Sequence, residues 1–180
     1  PLPTEQWTTE LKEIFAPTKK KFGKVFNIFT TLAHHPKLLK RWLVFANHCL
    51  LKSSLNPRDR ELVILRAGWV SQSAYEWAQH EPVARQVGVR DEVIESILSG
   101  KGPMGLPAKE GIFIQASKEL VKNATVGKAT YQALDHLLGP QLTIDFIVTV
   151  GYYSMLSRII SSLDVDLDES LTLNQNFDTD

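Results

Sequence analysis

Cysteine is nearly absent from this chain: Cys49 is the only one among 180 residues. A single thiol excludes an intrachain disulfide and a Cys-x-x-Cys redox pair, and it fits a reducing, cytosolic (cytoplasmic) compartment. An excess of charge of either sign is also missing, because 20 Lys and Arg balance 20 Asp and Glu. A neutral chain has no net field to draw it to nucleic acid or to an acidic membrane surface, so neither is expected as a partner. No apolar run reaches the length of a membrane-spanning helix, and the first residues lack a signal-peptide pattern. G-x-G-x-x-G, Walker and G-x-S-x-G motifs do not occur, which removes the common nucleotide cradles and the serine-hydrolase elbow. Strand-type alternation is weak throughout.

What is present is helical periodicity. Thr4 to Phe15 places Trp7, Leu11, Ile14 and Phe15 on one side of a short amphipathic helix. Phe22 to Leu32 and Pro36 to Leu51 follow, divided at His34-His35-Pro36, where Pro suits a first helical position. Asn56-Pro57 repeats that start signal: Asn caps, Pro is preset in φ, and Asp59 lies near the positive end of the helix dipole. From Leu62 to Val70 only Arg66 is polar, so this helix is expected to be buried nearly all round. Ser71 to Val87, Asp91 to Leu98, Pro107 to Val121, Gly127 to Leu138 and Gln141 to Leu163 complete the set. Lys101 to Pro107 reads as a loop, and Gly139-Pro140 as a helix stop and restart. The expectation is an all-α helical bundle in one domain, residues 1–163. Residues 164–180, with six acids and no base, read as a loosely ordered acidic tail.

Chemistry concentrates in Asn56 to His80. At 100° per residue Ser73, Glu76, Trp77 and His80 share one helix face. Glu76 and His80 stand at i, i+4, within contact, and a carboxylate beside imidazole favours the imidazolium. His80 is therefore a candidate proton donor or acceptor near neutral pH. Glu61 reaches the same place if the two helices pack. Each of these residues also has a structural reading: Ser73-x-x-Glu76 is a capping box, Glu76–His80 an ordinary helix pair, and Trp77 core. Arg66, inside an apolar run, needs either a carboxylate or an anionic ligand. One imidazole with two carboxylates is a weak metal pattern, so no metal is expected. Cys49 reads as a small buried hydrophobe.

The stretch LNPRDRELVILRAGWVSQSAYEWAQHEPVARQVGVRDEVIESI resembles the carboxymuconolactone decarboxylase family. The likeness is carried by R-x-R-E-L-x-I-L-R, by Y-E-W-x-x-H from Tyr75 to His80, and by A-R-x-x-G-x-x-D-E. It implies an alkylhydroperoxidase D-like helical subunit, associating into homo-oligomers (trimers or hexamers) with sites near subunit contacts. In the related alkylhydroperoxidase D, a Glu and a His assist a Cys-x-x-Cys pair. The Glu falls on Glu61 and the His on His80, but the two cysteines fall on Ser73 and Glu76. A peroxiredoxin-type reaction would then have no sulfur pair to run on. The resemblance implies instead a lyase that takes CO2 from a small lactone-type or unsaturated carboxylic acid without a cofactor. His80 would deliver the proton, Glu61 and Glu76 would orient it, and Arg66, Ser73 and Trp77 would hold the substrate. The rival expectation is a non-catalytic helical assembly protein, with the same polar residues satisfied at subunit contacts and no pocket.

Overall fold

A computed structural model describes residues 1–99, 105–169 and 171–173. Among them there are eight α-helices and no strand. After a 3-10 turn at Thr4–Gln6, helix α1 spans Thr9–Phe22, where the sequence pattern ends a helix at Phe15. The reason lies at its ends. Thr8 accepts a hydrogen bond from the Leu11 amide at 3.3 Å, and Gly23, at φ 74°, closes the last turn by donating to the Lys19 carbonyl. Pro17 sits inside this helix and forfeits one backbone bond without ending it. The apolar run after Gly23 yields only a short α2, Asn27–Leu32. Helix α3 is Pro36–Asn47, capped by His35, whose Nδ1 accepts from the Leu38 amide; a π-helical turn, His48–Lys52, follows.

Helix α4, Pro57–Val70, is the centre of the bundle and packs on α5 (Ala74–Gln86), α7 (Ala108–Asn123) and α8 (Lys128–Ser162). Asn56 caps it through the Asp59 amide at 2.9 Å. Leu62 to Gly68 are all buried, and each Leu or Ile buried there is worth roughly 1.5–3 kcal/mol. Helices α4 and α5 form a tight hairpin through Ser71 and Gln72, the latter at φ 55°. Gly68 permits the approach: a Cβ there would stand 3.2 Å from that of Glu76. Helix α6 is Asp91–Leu98. The loop expected at Lys101 to Pro107 lies outside the described residues as far as Met104. The stop and restart at Gly139-Pro140 is a kink within α8, where Gly139 leaves helical geometry at φ 71° and ψ 171°.

The acidic segment after α8 is tied down at its start. Val165 is buried in the core and Asp168 is buried beneath α2 and α5. Asp168 accepts from the Asn27 amide at 3.1 Å, the Tyr75 hydroxyl at 2.7 Å and the Gln79 amide at 2.5 Å. Asn27 in turn donates to the carbonyls of Asp166 and Leu167. The segment expected to be loosely ordered is thus bonded to the domain as far as Asp168; residues 174–180 lie outside the described residues. Replacing Asp168 by Ala strands three donors, and urea unfolding should show a loss of about 1–3 kcal/mol. An unchanged midpoint would mean that these bonds add nothing beyond their exchange with water.

Candidate active site

The α4–α5 hairpin brings Glu61 and His80 together. His80 Nδ1 stands 2.7 Å from Glu61 Oε2, and His80 Nε2 stands 3.6 Å from Glu76 Oε2. A carboxylate only accepts, so Nδ1 carries the hydrogen given to Glu61, and Nε2 is left to exchange a proton with Glu76 or a ligand. The imidazole edge also meets Tyr153 of α8, with ring centroids 5.1 Å apart at 89°. Burial alone would lower the His80 pKa. The charge and hydrogen bond of Glu61, with the charge of Glu76, outweigh burial and the opposing Arg60, so the net shift is upward. Burial pushes Glu76 up to about 7; His80 pulls it down and Glu61 adds to the rise. The site therefore holds an imidazolium favoured by one carboxylate and a second carboxyl that exchanges its proton near neutrality.

These groups line a cavity of about 250 Å³. Its charged wall is Arg60, Glu61, Glu76 and His80, with the hydroxyl-bearing Tyr75, Tyr152 and Tyr153 beside them. The remaining wall is almost wholly apolar and comes from the end of α1, from α2, from Ala46 of α3 and the π-helical turn, and from Val83 of α5 and Leu156 of α8. A wider hollow of about 410 Å³ on the outer face of α8 has Arg158 as its one ionisable group and offers no acid–base pair.

Of the residues singled out from sequence, Glu61, Glu76 and His80 meet in the cavity, while Arg66, Ser73 and Trp77 are not part of its wall. Arg66 is buried on another side of α4, where its Nε donates to the Ile114 carbonyl at 3.3 Å. Ser73 caps α5, accepting from the Glu76 amide at 3.4 Å, which is the capping half of its two readings. Trp77 packs against Trp69, ring centroids 5.3 Å apart. Cys49 is fully buried; burial, then the charge of Asp145, pushes its thiol up to about 11. A peroxidatic thiol needs the opposite, exposure and a lowered pKa. Among the described residues no group of three or more His, Cys, Asp or Glu is arranged to hold a metal ion, and no helix is long and apolar enough to cross a membrane.

Arg60, Tyr153 and the aromatic wall of α1 and α2 did not emerge from sequence reasoning. Arg60 had a signal, since it stands within the same R-x-R-E motif as Glu61. Tyr153 is separated from His80 by most of the later chain and had none.

Residues 36–116, from the start of α3 into α7, match the model of the Carboxymuconolactone decarboxylase family. No curated protein matches the chain. Among solved structures, an uncharacterized peroxidase-related protein from Silicibacter sp. TM1040 aligns with a TM-score of 0.77 at 19% identity, over 98% of this chain and 91% of its own. An alkylhydroperoxidase AhpD core protein, peroxidase-related, from Ralstonia eutropha JMP134 aligns with a TM-score of 0.75 at 18% identity, over 93% and 87%. The debrominase Bmp8, as a cysteine-to-alanine variant in complex with 2,3,4-tribromopyrrole, gives a TM-score of 0.75 at 12% identity, over 94% and 90%. At these identities the likeness establishes the alkylhydroperoxidase D-like fold.

Proposed function

We propose, from a segment of the carboxymuconolactone decarboxylase family set in an alkylhydroperoxidase D-like fold, that this chain is a cofactor-free decarboxylase. Its substrate is a small lactone-type or unsaturated carboxylic acid. The observation that carries this reading is His80 held between Glu61 and Glu76 in a largely apolar cavity. When the carbon–carboxylate bond breaks, CO2 leaves and the electron pair passes into the conjugated carbonyl as an enolate. A proton must then reach carbon. His80 supplies it from Nε2 while Glu61 holds Nδ1, and Glu76, titrating at about 7, reloads the imidazole from solvent. The conjugated carbonyl of the substrate is the electron sink, so the step asks for no further group. That a debrominase of this fold is found in complex with a tribromopyrrole is in keeping with a small unsaturated ligand here.

The test is a panel of small lactone acids and unsaturated carboxylates incubated with the protein in D2O. Release of CO2 together with one deuterium on product carbon supports the reading. A ligand that raises the melting temperature, yet loses no CO2 and takes up no deuterium, counts against it.

A further inference from the structure

Two polar atoms in the cavity wall have no hydrogen-bond partner although both are buried: Arg60 Nε and Glu61 Oε1. They belong to adjacent residues and stand 3.6 Å apart, an ion-pair distance beyond hydrogen-bond reach. The other oxygen of Glu61 is engaged by His80. A buried donor left in this state calls for a specific explanation, and for Arg60 Nε one is an anionic ligand that accepts from it; Glu61 Oε1 is itself an acceptor and is not completed by such a group. The Arg60 guanidinium stays charged and presents a fork of donors matched to a carboxylate. Its side chain is about nine-tenths buried, so an anion bound there would be shielded from water.

The far wall differs in kind. Phe22, Phe26 and Phe29 form a run of ring contacts, the first tilted at 5.4 Å and the second edge-on at 5.9 Å. Phe22, Leu51 and Val83 are the wall residues that remain substantially exposed, at 40%, 38% and 37%. They form the rim by which the cavity meets solvent. The ammonium groups of Lys21 and Lys24 stand over the Phe22 and Phe26 rings at 5.4 and 5.2 Å, which adds positive charge at the same rim.

We infer that the cavity is built for a monocarboxylate carrying an aromatic or branched apolar substituent, with the carboxylate on Arg60 and the substituent among Phe22, Phe26, Leu51 and Val83. This names the substrate class of the site proposed above; its turnover rests on that reading, whereas its binding does not. Every charged group lining the cavity bears on the choice. Glu61 and the His80 imidazolium pair with each other, Arg60 is the cation left over, and Glu76 supplies negative charge once ionised. Inside the cavity, whose lining does not include Lys21 or Lys24, one anionic group is therefore matched and a second is not, and the aromatic wall would have to be covered by part of the ligand that carries no charge.

Isothermal titration of cinnamate, of acrylate and of the dianion muconate, each into wild type, Arg60→Gln, Arg60→Lys and Phe22→Ser, tests this at near-neutral pH. Cinnamate is expected to bind at least tenfold more tightly than either acrylate or muconate. Arg60→Gln should lose at least tenfold in cinnamate affinity and Arg60→Lys should recover part of it. Phe22→Ser should weaken cinnamate several-fold and leave acrylate unchanged. Equal affinities of wild type and Arg60→Gln, or a preference for muconate or acrylate, would overturn the inference. So would the absence of cinnamate binding to wild type. Cinnamate binding of the expected pattern, with no CO2 lost from lactone acids that carry a conjugated carbonyl, sinks the decarboxylase reading and keeps this one. Release of CO2 from dianions, undiminished in Arg60→Gln, does the reverse.

Discussion

Replacing His80 by Ala is expected to lower CO2 release by on the order of 10²–10⁴-fold, the usual worth of a positioned proton donor. The variant should also be less stable, because Glu61 is fully buried and His80 is its hydrogen-bonded partner at 2.7 Å. Removing one member of a buried ion pair typically costs about 3–5 kcal/mol, more than the pair itself contributes, since the survivor keeps its desolvation penalty. The two effects separate in a double variant. Glu61→Gln combined with His80→Ala removes the stranded charge and should regain most of the stability, while turnover stays at the level of the single variant. Urea unfolding and steady-state CO2 release on the four members of the cycle give both quantities. Turnover by His80→Ala within twofold of wild type would end the assignment of His80 as proton donor. A single variant as stable as wild type would show that Glu61 finds another partner or a proton.

The helices were legible where local chemistry sets them. Asn56-Pro57 and Ser73 are capping signals that depend only on neighbouring residues, and both act as caps. The first helix runs on past the expected end at Phe15 because a proline in an exposed helix, here Pro17, loses one bond, which Thr8 and Gly23 at the two ends outweigh. The meeting of Glu61, Glu76 and His80 followed from helical spacing plus one assumption, that consecutive helices pack. The choice between Arg60 and Arg66 was not readable in the same way. Both lie on α4, six positions apart and so about 120° around the axis. On a helix apolar on all sides, periodicity does not say which side faces a cavity and which faces α7. Asp168 carries no local mark either: it is one acid in an acidic run, and only the fold sets it under Tyr75 and Gln79.

Stability should fall as pH rises through neutrality, and Glu76 should be the main cause. Its carboxyl, pushed up to about 7 from an ordinary value of 4.5, keeps its proton in the folded state across a range in which the unfolded chain has lost it. The native state therefore binds more protons between those two values, so stability decreases with pH over that window and the whole cost is present above it. At about 1.4 kcal/mol per pH unit, the cost is roughly 3 kcal/mol, undiminished by solvent because the group is buried. His80 acts in the same direction. Its pKa is raised on folding, so its stabilisation is complete below its ordinary value of 6.5 and is lost as pH climbs through the folded value. The opposite limb comes from Asp145. Burial works upward on it, but the Ser54 amide and the His48 ring outweigh burial and hold it below the usual carboxylate range, so its contribution disappears in acid. The stability maximum should therefore lie at about pH 4, between the ordinary values of Asp145 and Glu76, 3.8 and 4.5. Glu76→Gln, close to isosteric, should remove the Glu76 part of the slope and gain about 2–3 kcal/mol over wild type near pH 8, read from urea midpoints at the two pH values. A wild type equally stable at both, or a Gln variant with an undiminished slope, would place the coupling elsewhere. If Glu76 also reloads His80, the same substitution must slow CO2 release. A carboxyl that weakens the fold at neutral pH is then retained for the proton it hands on, and the variant would join higher stability to lower turnover.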